Sequence, residues 1–97
     1  MNSYRLADRA DRDIFNIFLY GMENFGLAQA EKYRDSMLRC FNMLAENPHI
    51  GRGADSVAPG VRRHEHGSHV ILYEPESSGV LILALVPARS VQRLQID

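Results

Sequence analysis

One cysteine, one lysine and four prolines stand among 97 residues, and no apolar run exceeds the seven residues 80–86. The single cysteine, Cys40, excludes an internal disulfide and fits a reducing compartment. Its neighbours, Leu38, Arg39 and Phe41, read as helix with Cys40 on the apolar side, a buried and inert thiol. Seven apolar residues fall far short of the roughly 20 that span a bilayer. The opening "MNSYRLADRADRD" is charged and lacks the apolar core of a secretory signal. A cytoplasmic protein is expected, with no membrane contact.

Charge of one sign is also lacking. Eleven basic and twelve acidic side chains leave a net charge of −1. The balance is similar in each half, six against seven over residues 1–50 and five against five over residues 51–97. Proteins that work on phosphate backbones gain affinity by releasing counterions, and they usually carry a basic excess. Direct binding of nucleic acid is therefore not expected. With 45% apolar and 24% charged residues, the chain has the composition of a globular domain rather than a disordered one. Its length corresponds to a single domain over 1–97.

The periodicity of the chain divides it into elements. Tyr4 and Leu6 alternate with Arg5, which predicts a short first strand over residues 3–7. Ile14, Ile17, Phe18, Met22 and Phe25 then fall at helical spacing. Asp8 is the expected N-cap with Asp11 three residues on, and Gly26 is the stop. A second helical stripe runs through Ala30, Tyr33, Met37, Leu38, Phe41, Leu44 and Ala45, and ends at Asn47 and Pro48. Two helices joined so closely must lie antiparallel.

Residues 49–60 hold three glycines and a proline and read as a loop. Beyond them the period changes to two. "VRRHEH" and "HVILYE" flank Gly67 and Ser68, a two-residue loop that closes a hairpin. "PESSG" is a second turn, and "VLILALV", the most apolar run, is expected to be the central strand, ended by Pro87. The order β-α-α-β-β-β gives an α+β domain of two layers, an N-terminal helical hairpin packed on a small, mainly antiparallel sheet. The first strand joins that sheet after the helical crossover.

The hairpin concentrates chemistry, with Arg62, Arg63, His64, His66 and His69 in eight positions. A turn at Gly67 and Ser68 pairs His66 with His69, Glu65 with Val70 and His64 with Ile71. Arg62, His64, His66, His69, Ile71 and Tyr73 then share one face, and Arg63, Glu65, Val70 and Leu72 the other. Neither face is purely apolar, so the far end of the hairpin is expected to reach beyond the core. His64, His66 and His69 could offer three ligands to zinc, but no fourth is in place, so neither a metal nor another cofactor is expected. A nuclease would use His69, Tyr73, Arg62 and Arg89 as acid, base and phosphate clamp, yet no basic groove accompanies them.

Several stretches together resemble one family. "YRLADRADRDIFNIFLYGMENFG", "LAENPHIGR" and "APGVRRHEHGSHVILYE" are similar to successive motifs of ParE toxins, in the RelE/ParE superfamily of bacterial toxin–antitoxin systems. The resemblance covers roughly residues 3–89. It implies the same fold and a non-enzymatic cytoplasmic toxin, partnered by a ParD-like antitoxin in a hetero-oligomer. ParE members inhibit DNA gyrase by protein contact, whereas RelE relatives cut messenger RNA on the ribosome. With Lys32 the one lysine and no basic excess, the chain sides with ParE. A RelE-like endoribonuclease and a degenerate toxin that only binds antitoxin are the alternatives.

Arg62, Gly67, His69 and Tyr73 match the family pattern. His64 and His66 stand where the family has an aromatic and an apolar residue, and Pro87, Ala88 and Arg89 stand where it has His-Gly-Arg. The residues expected to meet the target or partner are Arg62, Arg63, His69, Tyr73, Arg89 and Arg93. Catalytic residues are not expected. The crowded histidines would make antitoxin binding vary between about pH 5.5 and pH 7.5.

Overall fold

The computed structural model describes residues 2–90. Its elements are β1 (Ser3–Leu6), α1 (Asp8–Phe25), α2 (Leu27–Glu46), β2 (Arg52–Gly53), β3 (Arg62–His66), β4 (His69–Glu76) and β5 (Gly79–Pro87). The five strands form one sheet in the order β1-β5-β4-β3-β2, with β1 parallel to β5 and the other pairs antiparallel. The two helices lie on one face, as the α+β reading requires.

The helical hairpin forms where the sequence places it, but its start is set differently. Ala7, not Asp8, is the N-cap, and no side chain caps the helix. The Ala7 N–H donates to the Ile82 carbonyl while its own carbonyl accepts from Asp11. Sheet pairing thus holds Ala7 extended and launches α1 without a side-chain cap. Asp8 and Asp11 remain in the first turn, where the helix dipole favours acids. Gly26, at φ 92°, makes the link to α2.

Between helices and sheet lies the main core, built on Ala10, Met37, Phe41, Leu44, Ile71, Tyr73, Val80, Ile82 and Leu85. Cys40 belongs to it, and burial pushes its thiol pKa up, as the reading of an inert thiol requires. A bulge explains how Ile82 and Leu85, three apart on one strand, share this face. Leu72 pairs with Ala84 but Tyr73 pairs with Ile82, so Leu83 is an extra residue that shifts the alternation by one.

Four sequence expectations change here. The loop over 49–60 contains β2, two residues paired to Arg62 and Arg63. Part of that loop also covers the second face of the sheet, where Ala54, Val61, Val70, Leu72 and Ala84 form a smaller cluster. The middle strand is β4, with β5 beside it, because β2 extends the sheet beyond β3. The "PESSG" turn shrinks to Ser77 and Ser78, since Glu76 pairs with Gly79. The fourth change is at the ends of the apolar stripe in α1, where Met22 and Phe25 are 38% and 67% exposed.

Candidate functional site

The hairpin register is the one expected, His66 with His69, Glu65 with Val70 and His64 with Ile71. Its surroundings are not. The tip reaches past the core as expected, with Gly67 and Ser68 exposed, but it is held against α2, with Tyr33 packed over the turn. An added Cβ at Gly67, φ 57°, would come 2.6 Å from the Tyr33 hydroxyl. Tyr33 Oη lies 2.7 Å from His69 Nδ1 and 3.1 Å from the His66 carbonyl, and Ser36 Oγ lies 3.0 Å from His66 Nε2.

Beside this tip is a groove of about 790 Å³ between the two helices and the end of β5. Ile14, Ile17, Phe18 and Phe25 of α1 form one wall, Ala30, Tyr33 and Met37 of α2 the other, and Ser68, His69, Leu85 and Pro87 close the end. Arg34 and Arg89 bring positive charge to it, Arg34 with its guanidinium 4.9 Å above the Phe18 ring. Asp13 is the acid of the lining, and it is already engaged. Its carboxylate accepts the Leu85 N–H at 2.9 Å and the Arg9 Nε–H at 3.0 Å. Leu85 lies past the last β1 pair, Leu6 with Ile82, so Asp13 supplies the acceptor a longer strand would have offered.

The six residues expected from sequence do not gather at one place. His69 and Arg89 line the groove. Arg93 lies outside the described residues. Arg62 instead donates from Nη1 to the Gly51 carbonyl at 2.6 Å and to the His49 carbonyl at 3.3 Å, tying down the loop after α2. Arg63 is on the opposite face of the sheet, its side chain 12% exposed and 3.5 Å from Glu65. Tyr73, also expected to meet the target or partner, is fully buried. Its hydroxyl donates to the Pro48 carbonyl at 2.8 Å and accepts the Gly51 N–H at 3.0 Å. Tyr73→Phe is expected to cost about 1–3 kcal/mol by leaving these buried backbone groups unpaired, read from the urea midpoint and from amide exchange at Gly51. An unchanged midpoint would mean water replaces the hydroxyl.

The groove walls were missed from sequence. Ile14, Ile17 and Phe25 read as core by period, and only their incomplete burial marks them as a site. No group of three or more His, Cys, Asp or Glu side chains among the described residues is arranged to hold a metal. No helix among them is long and apolar enough to cross a membrane.

Residues 4–91 match the family model described as the ParE toxin of type II toxin-antitoxin system, parDE. The chain belongs to the ParE toxin family. It is 36% identical over 73 residues to a Toxin ParE1 of Caulobacter vibrioides, covering 75% of this chain and 76% of the relative. It is 30% identical over 94 residues to a Toxin ParE1 of Mycobacterium tuberculosis, covering 97% and 93%. A solved chain from the chromosomal ParDE TA system of P. aeruginosa has the same fold, with a TM-score of 0.73 at 22% identity over 90% of this chain and 96% of that one. The resemblance read from the hairpin and helical motifs is thus shown at the level of the ParE family.

Proposed function

We propose that this ParE-family chain inhibits DNA gyrase by protein–protein contact, without catalysis, and is neutralised by a ParD-like antitoxin laid into the groove. The observation that carries the antitoxin half is the groove itself, an apolar channel left open beside the exposed Phe25. An amphipathic segment lays apolar side chains into such a channel, and a disordered one can fold as it does so. Arg34 and Arg89 favour carboxylates on that segment.

Arg62, Arg63, Arg89 and Arg93 remain the proposed contacts with the target. Arg89 is exposed, and arginine is frequent among interface hot spots. Arg89→Ala is expected to weaken the contact by about 1–3 kcal/mol, measured as the concentration of toxin needed to stop gyrase. A catalytic arginine would instead lose activity by orders of magnitude. The nuclease alternative gains no support from geometry. His69 and Tyr73 lie four residues apart on one strand, about 13 Å, and Tyr73 is sealed in the core.

Supercoiling and DNA-cleavage assays with purified gyrase test the proposal. Cleaved DNA that accumulates with the toxin and disappears on adding antitoxin is the expected result. Untouched gyrase together with cut mRNA on translating ribosomes would replace it with the RelE-like reading.

A further inference from the structure

The tip of the hairpin holds a chain of hydrogen bonds whose direction is determined by two carbonyls. Ser36 Oγ is 2.7 Å from the Tyr33 carbonyl, which can only accept, so the single hydroxyl proton goes there. His66 Nε2, 3.0 Å from the same oxygen, must then donate to it. The Tyr33 hydroxyl likewise spends its proton on the His66 carbonyl, so His69 Nδ1 donates to Tyr33 Oη. One tautomer of each ring satisfies these contacts, and His69 Nδ1 also lies 3.4 Å from Ser68 Oγ. His66 carries its proton on Nε2 and His69 on Nδ1, and a second proton has to enter at the opposite nitrogen.

That second proton is unwelcome. Burial, with His64 beside it, holds the His66 pKa below the usual imidazole value. Burial and then His66 do the same to His69, against a weaker upward pull from Asp13. The other charged groups nearby set neither shift. Lys32 and Arg39 stand one turn to either side of Ser36 on α2. Arg34 and Arg89 share the groove lining with His69. Asp13 opposes them, but its carboxylate is already shared with Arg9 and Leu85.

We propose that Tyr33, Ser36, His66 and His69 form a pH-responsive latch on the groove. Neutral, they clamp the turn at Gly67 and Ser68 against α2 and keep the end of the groove in shape. Charged, the two rings keep these donors but place positive charge side by side in the half-buried tip, which loosens the turn and weakens antitoxin binding. This role in regulation rests on the groove being the antitoxin site. The sign follows from linkage. With both imidazole pKa values depressed on folding, the native state binds fewer protons than the unfolded chain. The stabilisation is complete above the unfolded value of about 6.5 and is lost as pH falls through the folded values.

Native-state hydrogen exchange on the full chain at about pH 7.5 and pH 5.5 tests the latch without any partner. Protection factors at Gly67, Ser68 and His69 are expected to fall several-fold on acidification, while those of Phe41 and Leu44 hold. His66→Gln and His69→Asn together keep an amide donor near each ring nitrogen but cannot be charged, and should remove the pH dependence. Tyr33→Phe breaks the clamp and should leave the turn weakly protected at both pH values. Wild-type protection that is equal at both pH values, or Tyr33→Phe that protects like wild type, overturns the latch. Titration of the full-length antitoxin encoded beside the toxin gene then reads the regulation. Its affinity should fall several-fold at the lower pH for wild type, and distinctly less for the doubly substituted toxin. Parallel falls in both overturn the regulatory role. An antitoxin that fails to bind at pH 7.5 overturns the partner reading instead, and leaves the exchange result standing.

Discussion

Gly79→Ala is expected to strip β1 from the sheet and to destabilise the protein by about 3–5 kcal/mol. Gly79 opens β5 with φ 141°, a conformation that L side chains rarely adopt. A Cβ there would stand 1.7 Å from the Ser3 carbonyl oxygen and within 2.9 Å of the Ser3 nitrogen. These are backbone atoms in the register that pairs Ser3 with Gly79 and Leu6 with Ile82, so no rotamer change relieves the clash. Moving β1 away also removes Tyr4 and Leu6 from the core they pack against. The loss would consume a large part of the roughly 5–15 kcal/mol typical of a domain this size. Urea unfolding gives the total, and amide exchange at Arg5 and Ala7 locates the damage. A midpoint shift worth less than about 1 kcal/mol would show that the first strand adapts.

Phe41→Ala should be comparably severe, at about 3–5 kcal/mol. Phe41 is fully buried where α2 crosses the sheet, and its ring meets Tyr4 edge-on at 5.3 Å between centroids. Truncation leaves a cavity among Met37, Leu44 and Ile82, residues fixed by two layers of regular structure that cannot collapse into it. Denaturant unfolding with an unchanged slope and a lowered midpoint is the expected record. Both substitutions act through β1, which pairs with Gly79 and carries Tyr4 against Phe41, so the doubly changed protein should lose less than the sum of the separate losses.

Both predictions depend on the meeting of β1 with α2, which periodicity alone does not show. Strand and helix periods placed Tyr4 and Phe41 on apolar faces without saying that the faces touch. The hairpin register was more legible, because a two-residue loop leaves one way to pair the flanking strands. Tyr73 shows the limit of that reasoning. Alternation put it on the face of His69 and Ile71, but only the helices decide that this face is buried at Tyr73 and lines a groove at His69. Arg62 and Arg63 read as open charges, yet the loop after α2 recruits the first and the second face of the sheet covers most of the other. β2 and the bulge at Leu83 left no mark in the sequence, since two-residue pairings and single-residue slips are set by neighbouring strands.

The sequence by itself determined the helical hairpin, the three-strand meander and membership of the ParE family, because spacing of apolar residues, turn glycines and motif order are local properties. Only the tertiary structure decided where a partner has room to bind. The groove exists because α1, α2 and the end of β5 leave Ile14, Ile17 and Phe25, side chains of core-like spacing, incompletely covered. A period records which side of an element is apolar. It carries no record of what lies opposite, and here, along one stretch of two helices, what lies opposite is open space among the described residues.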